Sequence, residues 1–232
     1  MKSLLTVCFI SILCSAVHGQ RTSAAIHLEL SFPQGEYKTT YPKTGFGIRF
    51  NMMHRISDES PLSIGGDVGY MATETDSRYF DLYYGGYFDT YKISASSNIV
   101  NLAFKARADL VSREKPILLF VEGTVGANLF YSSASIQRET YYGGSQYVDA
   151  DNSKGYWALT WGPGLGMEVP VDKRKQVAVV IKGAYLFGAK TTYLTDPSID
   201  NSSGTVYFTQ HESKTDMILA ELGVRFTFGK KR

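Results

Sequence analysis

Apolar and polar side chains alternate along most of this chain, and the alternation falls into eight segments: 25–32, 44–53, 62–73, 98–110, 117–131, 156–169, 176–191 and 215–228. A period of two marks a half-buried strand, because successive side chains leave the backbone on opposite faces. In the last segment Ile218, Ala220, Leu222, Val224, Phe226 and Phe228 share one face. Met217, Leu219, Glu221, Gly223, Arg225 and Thr227 share the other. In the fourth, Val100, Leu102, Phe104, Ala106 and Ala108 oppose Asn101, Ala103, Lys105, Arg107 and Asp109. In segments with several charges the charges keep phase, while the opposite parity is nearly unbroken apolar. The pattern predicts an all-β fold, a single closed antiparallel up-and-down barrel of about eight strands. Ten remain open if the second and third long connections hold extra hairpins.

The connections alternate in length. Residues 54–61, 111–116 and 170–175 are short and charged, whereas 33–43, 74–97, 132–155 and 192–214 are longer and rich in Tyr, Ser, Gly, Asp and Asn. Short turns at one end and long loops at the other is the arrangement of a barrel that crosses a membrane, with the short turns periplasmic. Pro163 falls mid-segment, where a strand needs a donor. Among Gly162, Gly164 and Gly166 it predicts a bulge or kink, a local bulge before a lateral opening for a lipid.

The first residues stand apart from this pattern. Lys2 precedes an apolar run over 4–17, and Val17 and Gly19 are small enough for the −3 and −1 positions of a cleavage site. The expected organisation is a signal peptide over 1–19 and one domain over 20–232. Both cysteines, Cys8 and Cys14, lie in the leader. The exported part then has no disulfide, thiolate metal site or cysteine nucleophile. Removing Lys2 leaves 23 Lys and Arg against 22 Asp and Glu, so charge makes no case for nucleic acid as a partner. No later segment is apolar for long enough to cross a membrane as a helix. A closed barrel is the other structure that satisfies its backbone in lipid.

Which face points inward follows from the charges. The polar face is mostly Gly, Ala, Ser and Thr with about one charge per strand, too sparse for a water-exposed surface. Lipid therefore belongs outside. The interior receives Arg49, Lys105, Arg107, Lys182 and Arg225 with Glu29, Asp67, Asp109, Glu122, Glu168 and Glu221. Eight strands leave room only for side chains, and buried charges need partners. The expectation is a salt-bridged, plugged interior. A narrow pore through the same residues, dependent on Glu122 or Lys182, is the alternative.

The final strand carries a motif. Glu221-Leu222-Gly223-Val224-Arg225-Phe226-Thr227-Phe228 resembles the C-terminal insertion signal of outer-membrane barrels, with its fixed positions at Glu221, Gly223, Phe226 and Phe228. The sequence resembles the small outer-membrane β-barrel family of the porin-like, OmpA-barrel type found in Bacteroidetes. That resemblance implies export to the outer membrane of a Gram-negative bacterium. It also implies outer-membrane lipid and lipopolysaccharide as surroundings and the barrel assembly machinery as a partner. The family is functionally mixed and implies little chemistry.

The residues themselves point to no catalytic site. His27 lies in the first segment, His54 in a short turn, and His211 beside Glu212 and Ser213 in the last long loop, where neighbours in sequence rarely converge on one atom. No metal or cofactor signature appears. Aromatic residues crowd the second long connection, with Tyr83, Tyr84, Tyr87 and Tyr91 as candidates for recognition of a protein partner. The plainer reading makes them strand extensions above the membrane or a girdle at the headgroups. The expected role is non-enzymatic: envelope structure or recognition through the outer loops. The alternatives are a passive pore and a lipid-modifying enzyme.

Overall fold

The computed structural model describes residues 22–228 except 58, 85–86, 112–114, 141–143, 150–153 and 200–205. The expected leader and cleavage site lie outside the described residues. Eight strands close into an antiparallel barrel: β1 (Thr22–Pro33), β2 (Gly45–Arg55), β3 (Leu62–Tyr84), β4 (Tyr87–Asp109), β5 (Leu118–Thr140), β7 (Lys154–Pro170), β8 (Val177–Gly188) and β11 (Met217–Phe228). Each pairs with its neighbour in chain order around the barrel, and β1 closes it against β11. A helix α1 (Gly35–Thr40), a short strand β6 (Gly144–Asp149) and a hairpin of β9 (Lys190–Ile199) with β10 (Val206–Lys214) fill the long connections. Closure satisfies the strand edges that an open sheet would leave bare.

Burial alternates with the predicted parity. In β1 Ile26, Leu28 and Leu30 are exposed on the outer wall, while His27, Glu29 and Ser31 are buried inside. Small inward residues make the room. A side chain at Gly223 would meet the backbone oxygen of Ile26 and, at 2.6 Å, Nδ1 of His27. Gly47 likewise leaves space beside Glu29, whose Oε1 a Cβ there would approach to 3.1 Å.

The long connections depart from loops. Residues 74–97 continue β3 and β4 as one hairpin, and β5 extends to meet β6. A polypeptide with alternating Ser, Thr and Tyr can extend a ladder that the barrel has already nucleated. The barrel keeps eight strands, and the additional hairpin forms in the fourth connection, as a separate two-stranded sheet. The seventh segment, expected to run to residue 191, breaks at Ala189. Gly188 N donates to Asp216 Oδ1 at 2.9 Å, and Lys190 belongs to β9 outside the barrel.

Of the bulge or kink expected at Pro163, the bulge does not form. The pairing of Pro163 with Gly123 of β5 is in register. On the β8 side the ladder lapses between Trp161↔Phe187 and Gly164↔Ala184, with the same register on both sides. The proline points outward, and the structure absorbs its missing donor as a local gap rather than an inserted residue. Gly123, Pro163, Leu165, Gly183 and Tyr185 line a shallow apolar depression on the outer wall there.

Substituting Gly223→Val should force apart β1 and β11 at the closing seam. Overpacking of this kind costs about 1–3 kcal/mol. The variant should show a lower urea midpoint for the refolded protein in detergent, and an unchanged midpoint would contradict the close approach at His27.

Candidate functional site

The barrel interior is built in two layers. The first is a charge network across the middle and the short-turn end. The structure places Glu29, Arg49, Asp67, Lys105, Arg107, Asp109, Glu122, Glu168, Lys182, Glu221 and Arg225 all on inward-facing positions. Arg49 lies at its centre, 2% exposed, with Nε 2.6 Å from Glu29 Oε2 and Nη1 3.0 Å from Asp67 Oδ2. The same Nη1 donates to Asn101 Oδ1 at 2.7 Å, and Asn101 donates to Asn128 Oδ1 at 2.6 Å. Lys105 bridges Asp67 at 2.6 Å and Glu122 at 3.1 Å. Lys182 bridges Glu122 at 3.2 Å and Glu221 at 3.0 Å. Towards the short-turn end Arg107 pairs with Asp109 at 2.9 Å and with Glu168, which Arg225 meets at 3.0 Å.

Register explains these partners. Glu29 and Glu221 sit directly opposite one another across β1 and β11, a like-charged pair that would repel if left alone. Arg49 and Lys182 approach from the two flanking strands and supply a cation to each. His27 Nδ1 lies 3.7 Å from Glu221 Oε2, beside the network and beyond hydrogen-bonding distance of it.

The second layer is apolar. Tyr37 and Tyr41 of the α1 segment, Met71, Ile99, Phe130, Leu186, Tyr193, Met217 and Leu219 form one buried cluster. Tyr37 packs edge-on against Tyr193 at 5.2 Å and Phe130 at 6.0 Å. Tyr193 arrives from the β9–β10 hairpin, and its hydroxyl bonds Ser213 Oγ at 2.8 Å and Thr40 Oγ1. Ser97 and Ser132 both donate to the Leu194 carbonyl, at 3.0 and 2.8 Å, which ties the hairpin across β4 and β5. Sequence reasoning missed this layer. Tyr37 and Tyr193 lie in connections with no strand period, and nothing local says that two distant loops fold back into one barrel.

A polar latch holds the hairpin from above. Lys43 pairs with Glu74 and, at 3.0 Å, with Asp196. The backbone of Asp196, at φ +47°, donates to Glu74 Oε2 at 3.1 Å. Partial burial opposes ionisation of Asp196, but hydrogen bonding and charge from Lys43 outweigh it and hold the carboxyl below its ordinary 3.8. The Lys43 ammonium is held above its ordinary 10.5: burial works against it, and Glu74 and Asp196 outweigh that.

The remaining candidates are placed as follows. His211 stacks on Tyr193 at 5.7 Å with Nε2 3.7 Å from Asp196 Oδ2. Ser213 is buried with its hydroxyl donated to the Lys214 carbonyl, and Glu212 faces Lys190 at 3.4 Å. The three neighbours therefore serve different contacts and form no relay. His54 Nδ1 bonds Thr22 Oγ1 at 3.0 Å. Among the described residues no group of three or more His, Cys, Asp or Glu is arranged to hold a metal ion. In the insertion motif Glu221 and Gly223 face in, and Phe226 and Phe228 face out, about half exposed. Tyr91 sits on the extended part of β4. Tyr83, Tyr84 and Tyr87 have backbones at the tip of the β3–β4 hairpin, and their side chains lie outside the described residues.

No protein-family model and no curated protein matches the sequence. Several solved structures are similar. Neisserial surface protein A is 14% identical, with 89% of this chain and 97% of that one covered and a TM-score of 0.46. A major outer membrane protein from Thermus thermophilus is also 14% identical, with 88% and 99% covered and a TM-score of 0.46. The outer membrane protein OprG from Pseudomonas aeruginosa is 8% identical, with 90% and 97% covered and a TM-score of 0.42. The likeness is one of fold. What this chain does is argued from its own residues.

Two outcomes follow from this geometry. Arg49→Leu leaves Glu29 buried without its cation and Asp67 with Lys105 alone, which should cost about 3–5 kcal/mol of stability, read as a fall in the urea midpoint. The latch has a defined pH window. A carboxylate held low stabilises above its ordinary value and loses that contribution as pH falls through its folded value. Protease cleavage in the β9–β10 hairpin should therefore quicken as pH drops below 3.8. Lys43→Met should show fast cleavage already at neutral pH.

Proposed function

We propose that this chain is a non-enzymatic β-barrel of the outer membrane of a Gram-negative bacterium, exported through its leader, that displays a recognition sheet on the cell surface. One observation carries the membrane reading. The outer wall is apolar and exposed around the barrel, with Phe104 at 75% and Leu165 at 69%, while the strand charges turn inside. Soluble proteins rarely expose contiguous apolar surface on this scale. An Arg or Lys on a lipid-facing wall at mid-depth would cost about 2–4 kcal/mol, which accounts for the inward charges. The Phe226 and Phe228 positions fit a signal read by the barrel assembly machinery. Outer-membrane lipid and lipopolysaccharide are the surroundings this wall suits.

The recognition part is the sheet that rises beyond the barrel. β3 and β4 run 23 residues each, about twice the 11 of β2. β2 accompanies β3 only as far as Ala72, so from there the outer edge of β3 has no strand partner among the described residues. Glu74, Asp76, Arg78 and Asp81 follow along this stretch, the kind of charge that keeps an edge from pairing indiscriminately. Tyr79 is exposed beside Lys92, 5.7 Å from its ring. A projecting sheet with aromatic and charged side chains suits binding to a protein partner through its edge and face. The paired interior and the aromatic layer above it favour a closed barrel over a pore.

The test is electrophoretic mobility of the detergent-extracted protein, unheated against boiled, together with fractionation. A shift on boiling and recovery in the outer membrane are expected. A protein free in the periplasm without a shift would overturn the membrane reading. Replacing residues 76–95 by a short turn should leave the mobility shift intact and abolish surface binding. Loss of the shift would instead make the projecting sheet part of the barrel's own stability.

A further inference from the structure

The short-turn end of the barrel is unevenly charged. The β7–β8 turn carries Lys173, Arg174 and Lys175 in succession after Asp172. Its one acid is committed to the turn itself: Asp172 Oδ1 accepts from Val177 N at 2.8 Å and Oδ2 from Arg174 N at 3.1 Å. Lys175 Nζ donates to the Lys115 carbonyl at 3.3 Å, which sets the end of the β4–β5 turn against this one. Lys115, Lys173 and Arg174 are exposed. The other charges nearby do not offset them. Arg113 and Glu114 cancel in the sequence, and Gly229-Lys230-Lys231-Arg232, which follow β11, add only cationic side chains. Thr227 N donates to Gln176 O at 2.7 Å, so β11 ends beside the same turn. Inside the barrel at this end Asp109 and Glu168 are matched by Arg107 and Arg225. The remaining short turn, 54–61, holds Arg55 against Asp58 and Glu59, so the excess lies on one side.

These cations border the apolar wall directly. Val171 is exposed next to Asp172, Leu110 and Ile117 flank the neighbouring turn, and Phe228 is half exposed at the end of β11. Val171 N donates to Val177 O at 3.0 Å, so the turn closes over five residues and its charges stay close to the wall. Lysine and arginine at such a border lay their stems along apolar surface and hold the charge at headgroup level. A basic patch at that height meets lipid phosphate before it meets any polymer further from the membrane.

We propose that Lys115, Lys173, Arg174 and Lys175 with the adjoining outer wall of β5, β7 and β8 bind anionic glycerophospholipid of the periplasmic leaflet. The lipid phosphate lies against the cations and its acyl chains lie on the wall. Lipid held there fixes the depth of the barrel at its short-turn end. The inference rests on the membrane reading of the barrel and concerns the end away from the recognition sheet.

The experiment uses the full mature protein in phosphatidylcholine bilayers, with a trace of spin-labelled phosphatidylglycerol or of spin-labelled phosphatidylcholine with the same acyl chains. The mobility shift on boiling the same sample establishes that the barrel is folded, so a failure of the membrane reading shows there and not in the lipid signal. The motionally restricted fraction should report about a fivefold preference for phosphatidylglycerol at low salt, the attraction of about one basic residue for an anionic surface. The preference should vanish at about 1 M salt, where screening shortens the reach of exposed charges. Lys115→Gln, Lys173→Gln and Arg174→Gln together should abolish it while the mobility shift is kept. Lys38→Gln with Lys154→Gln, exposed at the other end of the molecule, should leave it unchanged. Equal restricted fractions for the two lipids, or a preference that survives the triple substitution, would overturn the proposal. Capture of soluble, carboxylate-bearing peptidoglycan fragments without any lipid preference would also overturn it and give the patch to the cell wall.

Discussion

Arg49 is the group on which the interior depends. It stands fully buried among the strands, and its guanidinium serves Glu29, Asp67 and Asn101 at once. A charge in that position costs several kcal/mol to desolvate unless its partners are in place. Those partners come from β1, β3 and β4, so they converge only when the sheet has closed in the correct register. A slip of one residue would turn each of these side chains to the outer wall, where a charge is equally unwelcome. The network thus acts as a check on register as much as a source of stability.

The two layers of the interior answer different needs. Strand side chains near the short-turn end are long and charged, and they fill the barrel by pairing. Near the other end the inward positions are Met71, Ile99, Leu186, Met217 and Leu219, which cannot fill the width by themselves. Aromatic rings from α1 and β9 supply the missing volume. The hairpin that brings Tyr193 is then fixed by serine donors from two barrel strands and by the Lys43–Glu74–Asp196 latch. The cap is thus anchored by packing below and by ion pairs above.

Outside, the molecule divides by height. Apolar residues ring the barrel and suit a hydrocarbon solvent. Beyond them β3, β4, β5 and β6 continue as a sheet with hydroxyl ladders such as Ser77–Ser94 at 2.9 Å and Ser96–Ser133 at 3.2 Å. These pairs suit water on both sides, which explains how strands of a lipid-facing barrel can run on into a polar projection without a change of backbone.

By itself the sequence determined the period, the faces and the eleven inward charges, because a strand places alternate residues on opposite sides whatever its neighbours are. Short and long connections could be told apart for a similar local reason, since charge and turn residues cluster in them. Partner choice within the network was not legible. It depends on which residues of different strands lie level, as Glu29 lies level with Glu221, and register is a property of the closed sheet. Nor could Pro163 be read correctly: the unchanged register on both sides shows that the ladder tolerates a missing donor, which the proline and its glycines alone did not reveal. The aromatic cap was hidden most completely. Tyr37 and Tyr193 are 156 positions apart, and only the tertiary structure, by leaving the outer half of the barrel underfilled, decided that both should turn inward.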